Sequence, residues 1–349
     1  MTGGCGFIGS HLVEELLALG KSVRVLDDLS TGRRDNVPAS VEVIVGDVCD
    51  QAALARACQG VEGCFHLAAV ASVQRCNEQW LSSHCTNLSA FVDLLDLARP
   101  RRGDFPVVFA SSAAVYGMPE QLPLAETART EPLSAYGADK LGCELHARAG
   151  AAVHGTRSVG LRFFNVYGPR QDPSSPYSGV ISIFANRVVA GEPVTLFGDG
   201  LQSRDFVYVK DVVGALLASM DRAAGSKEPL FESVNVCTGR GTTVAGLAKA
   251  LMAVAGGEVE IHFRPARAGD IRESVGNPVK MSSLLGLGRT TELETGLAAL
   301  LASIDPGTRA GAAGEERWLA RGHPAVSRLS AERRKRGFNG RPAAEAAEG

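Results

Sequence analysis

The sequence predicts an α/β protein: a doubly wound parallel sheet joined to a smaller α/β substrate lobe. Three observations predict it. A loop with glycines at positions 3, 6 and 9 runs straight into a helical pattern. Strand-like and helix-like segments alternate up to about residue 163. An acidic residue, Asp27, closes the second strand pattern, 24 positions after Gly3.

The elements follow in order. Ile8, Leu12 and Leu16 recur at helical spacing and place a helix over 8–20. Apolar runs at 22–27, 41–46, 61–67, 105–112 and 157–163 read as strands. Helical patterns at 50–59, 77–99 and 134–153 lie between them, which puts helices on both faces of the sheet. After Asn165 the texture changes, and 167–179, rich in Pro, Ser, Gly and Asp, reads as an ordered loop. A helix near 209–223 and a strand at 230–236 are expected to rejoin the first sheet. The first domain is therefore 1–165 with 206–236, and the lobe is 166–205 with 237–304. Residues 305–349 carry few large apolar groups and read as a disordered tail, with Arg333-Arg334-Lys335-Arg336 a solvated charge cluster.

A glycine loop of this kind follows a buried central strand, yet only Met1 and Thr2 precede it. The sequence thus predicts that the first strand is missing, through a misplaced start codon or a truncation. The exposed ladder edges would leave the chain less stable than one extended upstream by an apolar strand.

Composition narrows the function classes. The 349 residues carry a formal net charge of −2, and mean hydropathy is +0.04. Neither points to nucleic acid or membrane as a partner. No apolar run approaches the roughly 18 residues of a membrane span. No signal peptide is visible, so a cytoplasmic protein is expected. The eight cysteines form no CxxC pair, and reduced thiols are expected rather than zinc ligation or disulfides.

The loop suits a pyrophosphate. Backbone N–H groups and the positive helix end would face the anion. Gly3 allows the tight turn, Gly6 the close approach and Gly9 the packing of helix on sheet. Asp27 accepts hydrogen bonds from ribose hydroxyls and repels a 2′-phosphate, which favours NAD; Arg33 and Arg34 keep NADP as a minor alternative. Asp28 fits a capping role in the turn. Asp47, after the third strand, could meet an adenine amino group, although an isolated Asp there is more often a helix cap.

Tyr136 and Lys140 lie four apart, hence on one helix face. A free phenol, with a pKa of about 10, is a poor base at neutral pH. A neighbouring ammonium favours the phenolate and makes it a usable base. Ser111-Ser112 ends an apolar strand, where open α/β sheets place their ligands.

These residues stand within TGGCGFIGSHL, GDV, HLAA, SSAAVYG, YGADK, LRFFNVYGPRQDP, LFGDG, SRDFVYVKDV and RAGDI. From Thr2 to about residue 304 the chain resembles an extended short-chain dehydrogenase/reductase with a Rossmann-like domain. Within that group it resembles a nucleotide-sugar 4-epimerase, similar to those of UDP-glucose and UDP-N-acetylglucosamine. The resemblance implies an NAD-dependent isomerase of nucleotide-sugar metabolism and polysaccharide biosynthesis that works through a 4-keto sugar. Ser112 and Tyr136 would handle protons, and Lys140 would hold the nicotinamide ribose. Gly3, Phe7, Ile8, Asp27, Asp47, Val48, Leu67 and Asn87 would surround NAD. Asn165, Arg204, Arg267 and Asp270 would hold the nucleotide diphosphate and its ribose, unless Arg204-Asp205 is only a surface ion pair.

Ser274, four positions after Asp270, would border the sugar's C2 substituent. Similar dehydratases carry an acid where this chain has Ala113 and Ala114, and uronate epimerases carry Thr in place of Asn165. The resemblance also implies a homodimer through the helices at 77–99 and 134–153, with Leu88, Phe91, Leu95, Leu141 and Leu145 as apolar candidates. The competing readings are a dehydratase or reductase of the same superfamily and a non-catalytic nucleotide-binding fragment.

Overall fold

The computed structural model describes residues 1–172, 179–266 and 271–304. The disordered-tail expectation, its Arg333–Arg336 cluster, Arg267, Asp270 and residues 173–178 of the expected loop lie outside the described residues.

The first half alternates as the apolar pattern requires. It runs α1 (Phe7–Ala18), β1 (Arg24–Asp27), β2 (Glu42–Val45), α2 (Gln51–Ala57) and β3 (Cys64–His66). Then come α3 (Val73–Glu78), α4 (Trp80–His84), α5 (Ala90–Leu97), β4 (Val107–Ser112), α6 (Ala135–Ala149) and β5 (Arg157–Phe163). The helix expected over 77–99 is therefore three pieces, with a wide π turn at Cys85–Ser89 between the last two. The strand expected over 61–67 narrows to β3. The second half comprises β6 (Asn165–Tyr167), α7 (Val180–Val189), β7 (Val194–Phe197), β8 (Ser203–Tyr208), α8 (Val209–Gly225) and β9 (Leu230–Val236). It closes with β10 (Gly241–Thr243), α9 (Val244–Ala255), β11 (Ile261–Arg264), β12 (Glu273–Ser274), α10 (Val279–Leu285) and α11 (Leu293–Ile304).

β3, β4, β5 and β9 form one parallel run in that order, and β1 pairs in parallel with β2. What joins them is a bridge rather than a strand: no strand precedes α1, and Thr2 forms isolated bridges to Leu26 and His66, so Met1–Gly3 link β1 and β3 without the first strand that was expected to be missing. The Leu26 N–H donates to Met1 O (2.8 Å) and the Gly3 N–H to Leu26 O (2.9 Å). On the other side the Thr2 N–H donates to Phe65 O (3.0 Å) and the Leu67 N–H to Thr2 O (3.1 Å). The Met1 ammonium donates to Arg24 O at 2.7 Å. The glycine loop thus leaves the middle of a continuous sheet.

Apolar side chains fill both faces. Leu12 of α1 and Val212, Val213 and Leu216 of α8 pack on Val108, Val159 and Leu161. Leu54 of α2, Phe91 and Leu94 of α5, and Cys143 and Ala147 of α6 pack on Val107 and Phe109. Phe91 and Leu95 are therefore core residues and not interface candidates, because their helix turns that face to the sheet. Leu88 and Leu141 are half-buried, and Leu145 is exposed. No described helix is long and apolar enough to cross a membrane. All eight cysteines are free thiols, five of them buried.

The second half forms its own layer. β8 lies between antiparallel β10 and parallel β12 and also pairs in parallel with β6. Tyr167 is accordingly a strand residue, not the start of a loop. Residues 206–208 stay with this small sheet, whereas β9 pairs with β5 in the main one. The lobe core is Tyr167, Ile181, Phe184, Leu196, Leu247 and Leu300.

His11 joins the two halves. It is 2 % exposed. Its Nε2 lies 2.9 Å from Pro169 O and its Nδ1 3.1 Å from the Arg170 guanidinium. Arg170 also donates to Glu14 (2.5 Å) and to Asn36 O (3.2 Å). This arrangement needs a neutral ring with the proton on Nε2. Burial lowers the His11 pKa to about 4. Between pH 6.5 and 4 the unfolded chain binds a proton that the folded chain refuses, so stability falls as pH drops through that window. Relative to His11→Gln, the wild type is expected to lose roughly 1–2 kcal/mol more stability between pH 7 and pH 5. Denaturant melts of both proteins at the two pH values check this, and equal losses refute it.

Candidate active site

The site lies at the C-terminal ends of the main strands. The α1 N-terminus begins at the glycine loop, and Gly3 has φ +69°, a conformation L side chains rarely adopt. A Cβ on Gly3 would sit 2.6 Å from Ala68 N, and one on Gly9 would overlap the Gly3 carbonyl oxygen. Gly6 differs: its Cβ would meet nothing closer than Gly3 O at 3.4 Å. Protein fills the space beside Gly3 and Gly9, while the space beside Gly6 stays open.

Asp27 faces this loop. Its Oδ2 accepts from the Cys5 N–H (2.8 Å) and its Oδ1 from the Leu29 N–H (2.9 Å). Burial raises its pKa. Asp28 accepts from the Ser30 N–H and Oγ, the turn role expected of it. Cys5 O accepts from the Arg33 N–H (3.0 Å) and Asn36 Nδ2 (2.8 Å), which clamps 33–36 onto the glycine loop. Arg34 donates to the carbonyls of Val37, Pro38, Ala39 and Val41. Its guanidinium organises a turn, so of the two arginines that kept NADP open only Arg33 is exposed.

Asp47 is exposed and accepts the Cys49 N–H at 2.8 Å, whereas Asp50 caps α2. The cap reading of Asp47 is thus corrected by three positions. Val48, in the turn after β2, is buried, and Leu67, directly after β3, is half-buried. Asn87 sits in the π turn, 1 % exposed. Its Oδ1 accepts the Val70 N–H (2.8 Å) and its Nδ2 donates to Val70 O (3.2 Å). The amide pins the loop after β3; π turns recur at functional sites.

Tyr136 and Lys140 stand one turn apart on α6. The Lys140 Nζ is 5.8 Å from the Tyr136 ring centroid, and Lys140 is 2 % exposed while Tyr136 is half-buried. Ser134 caps the helix by accepting the Gly137 N–H. The helix presses against the turn Ala113–Tyr116, so close that a Cβ on Gly137 would lie 2.7 Å from Ala114 O. That turn begins directly after Ser112, whose Oγ accepts the Ala114 N–H at 3.2 Å. Ser112 and the Tyr136–Lys140 stripe are therefore neighbours. His66 lies nearby, fully buried, with Nδ1 2.9 Å from the Thr2 hydroxyl. Burial, then the Lys140 cation, lower its pKa to about 3.

On the lobe side, Arg204 of β8 is the register partner of Ser274 in β12, and Asn165 of β6 pairs with Phe206 two residues on. One small sheet thus carries three of the expected substrate residues. Arg204-Asp205 is not a surface ion pair. Asp205 is fully buried and accepts from the Thr238 N–H and Oγ1 and the Gly239 N–H, holding the loop after β9. An open cavity of about 390 Å³ lined by Arg148, Phe231 and Lys280 lies at the opposite end of the sheet. Its Lys280 is already paired with Glu232 (2.7 Å) and Ser233 O (2.8 Å).

Residues 1–237 match the NAD dependent epimerase/dehydratase family. The chain belongs to this family. Solved structures agree. This family member is similar to the UDP-glucose 4-epimerase of Thermotoga maritima, solved with UDP-glucose: 36 % identity, 88 % and 98 % of the two chains covered, TM-score 0.82. It is also similar to the UDP-N-acetylglucosamine 4-epimerase of Methanobrevibacter ruminantium M1, in complex with UDP-N-acetylmuramic acid: 32 % identity, 88 % and 97 % covered, TM-score 0.81. The Thermus thermophilus UDP-glucose 4-epimerase in complex with NAD matches at 38 % identity, 87 % and 97 % covered, TM-score 0.78.

The epimerase/dehydratase residues present here fit NAD. The open space at Gly6, the α1 N-terminus and the carboxylate of Asp27 suit a pyrophosphate and a ribose. Sequence reasoning missed Gly137, Asn36, Glu144 and Arg162. A glycine one position after Tyr136 hinted at the first; the others act through contacts 18 to 46 residues away in the chain.

Proposed function

We propose that this chain is an NAD-dependent 4-epimerase of nucleotide-diphosphate sugars, taking UDP-glucose/UDP-galactose or their N-acetylated counterparts. The observation that carries the reading is that α6, with Tyr136 and Lys140 one turn apart, packs at Gly137 against the turn that follows Ser112. That turn carries Ala113 and Ala114 and so lacks the acid a dehydratase uses.

NAD, when bound, supplies a reversible hydride acceptor. The protein's part is protons and geometry. The Tyr136 phenolic oxygen takes the proton of the sugar's C4 hydroxyl as that carbon is oxidised to a ketone. The Lys140 ammonium, buried near the ring, stabilises the phenolate that accepts this proton. The Ser112 hydroxyl hydrogen-bonds the same sugar oxygen and relays its proton. Lys140 also holds the nicotinamide ribose. Asn165 and Arg204, with Arg267 and Asp270, hold the nucleotide diphosphate while the 4-keto sugar turns over. Arg suits a diphosphate through bidentate, charge-assisted bonds. As hydride returns to the other face of C4, Tyr136 gives the proton back to the C4 oxygen and the opposite epimer forms. In this division 1–164 with 209–236 serves the cofactor, and 165–208 with 237–304 serves the sugar nucleotide. The free thiols support a cytoplasmic location.

A homodimer belongs to the same reading. Trp80, Leu81 and Leu145, on the packed helices α4 and α6, are 67 %, 77 % and 55 % exposed. Isologous dimers are the commonest assembly. Sedimentation at micromolar concentration is expected to give a dimer for the wild type and a monomer for Leu81→Asp/Leu145→Asp; a monomeric wild type refutes it.

Tyr136→Phe removes the phenolic base and leaves the cofactor contacts. Turnover of UDP-sugars is expected to fall below a few per cent of wild type, while purified protein retains NAD by its absorbance. Substantial residual activity would remove Tyr136 from the reaction.

Ser274, paired with Arg204, is small enough to admit a C2 acetamido group, where a phenol ring would collide. The wild type is expected to accept UDP-GlcNAc as well as UDP-Glc, and Ser274→Tyr to lower the kcat/KM ratio for UDP-GlcNAc over UDP-Glc at least about tenfold. An unchanged ratio shows that the gate lies elsewhere.

A further inference from the structure

Behind Ser112 lies a row of buried polar groups that the reaction does not use. Ser111, Arg162 and Asn235 are register partners across β4, β5 and β9. They are 1 %, 4 % and 0 % exposed. Glu144 of α6, also buried, reaches down to this row. Its Oε1 accepts from Ser111 Oγ (2.5 Å) and Arg162 Nε (2.9 Å), and its Oε2 accepts from Arg162 Nη2 (2.6 Å). Arg162 Nη1 donates to the Tyr116 hydroxyl (2.8 Å), which donates to Asn235 Oδ1 (2.7 Å). Asn235 Nδ2 donates to Leu124 O (2.8 Å), and the Asn235 N–H donates to Glu126 (2.7 Å).

Stability alone gives no reason for this cluster. Apolar residues of similar volume commonly replace a buried ion pair with no loss, because desolvating two charges cancels their attraction. What an ion pair adds is direction: a bidentate fork has one geometry, and apolar packing has several. Tyr136, Lys140 and Glu144 fall four apart, so they share one stripe of α6. Glu144 bonds to Ser111, the residue before Ser112. Arg162 bonds to Tyr116, the last residue of the turn after Ser112. One carboxylate–guanidinium pair therefore ties the helix that carries Tyr136 and Lys140 to both flanks of Ser112.

We propose that the buried Glu144–Arg162 pair, anchored on Ser111 and Tyr116, is a positioning device that holds Tyr136 and Lys140 in register with Ser112. It acts through α6 and β4 and touches no substrate. The inference rests on the 4-epimerase reading above. Its value is rate: misplacement of reacting groups by about 1 Å costs about 10²-fold.

The experiment compares the full-length wild type, E144M/R162M, Ser111→Ala and Ser111→Thr. The readouts are melting temperature, NAD content, and KM and kcat for UDP-sugar interconversion. E144M/R162M is expected to fold, retain NAD and keep KM within about twofold, while kcat falls about 10²-fold. Ser111→Ala is expected to lose about tenfold in kcat alone, and Ser111→Thr, which keeps the hydroxyl, to restore most of it. A folded double variant with wild-type kcat overturns the proposal. If the double variant fails to fold, Ser111 decides: unchanged kcat in Ser111→Ala overturns it, and a loss rescued by Thr upholds it. A wild type inert toward every UDP-sugar overturns the 4-epimerase reading and this inference together. Wild-type turnover with unaffected variants overturns the inference alone.

Discussion

Three residues hold the main sheet together. Met1–Gly3 are the described backbone that bonds β1 on one side and β3 on the other, through four ladder hydrogen bonds. Remove that ladder and β1–β2 lose their link to β3–β4–β5–β9. The glycine loop takes its position from the same residues. It leaves the sheet at Gly3 with a left-handed backbone and enters α1 four residues later. Buried Thr2 reinforces the junction, its hydroxyl accepting the Ala68 N–H and meeting His66 Nδ1. Glycine loop, β1 carboxylate and the segment after β3 thus share one anchor.

The candidate site is then assembled by parallel strands that all point the same way. Their C-terminal ends deliver Gly3, Asp27, Leu67 and Ser112 to one edge of the sheet. Helices add the rest. α6 brings Tyr136 and Lys140, and the π turn before α5 brings Asn87 to hold the neighbouring loop. Ser111, Glu144, Arg162, Tyr116 and Asn235 are bonded to one another across elements rather than to neighbours in the chain. In a low-dielectric interior such bonds are directional and costly to break, so they define distances that apolar packing leaves loose. The lobe contributes a second small sheet whose central strand, β8, aligns Arg204 with Ser274.

Much of this was legible in the residues. The period of the apolar pattern placed β5 and β9 at the observed residues and α1, α2 and α8 within about two positions. The elements that were misread have local reasons. Residues 77–99 carry helical periodicity throughout, but Gln79 and the π turn break the backbone where tertiary contacts pull Asn87 toward Val70. Tyr167 precedes a Gly-Pro pair and looks like loop, yet it pairs with Tyr208 of β8, 41 residues away. Asp205 looked like half of a surface pair because its neighbour is Arg204; only the folded chain brings Thr238 and Gly239 to it.

The sequence by itself determined the fold class and displayed the glycine loop, its acidic partner, and Ser112, Tyr136 and Lys140 as candidates. Those features are encoded by spacing along one βαβ unit or one helix, and spacing is what a sequence displays. Tertiary structure decided which side chains serve the site indirectly. Glu144 with Arg162, Asn36 with Cys5, and His11 with Pro169 and Arg170 meet only when distant segments pack. A charged residue at helical spacing reads the same whether it faces water or a buried partner. Burial separates the two cases, since an ionised group removed from water persists only where the fold supplies its counter-charge and hydrogen bonds.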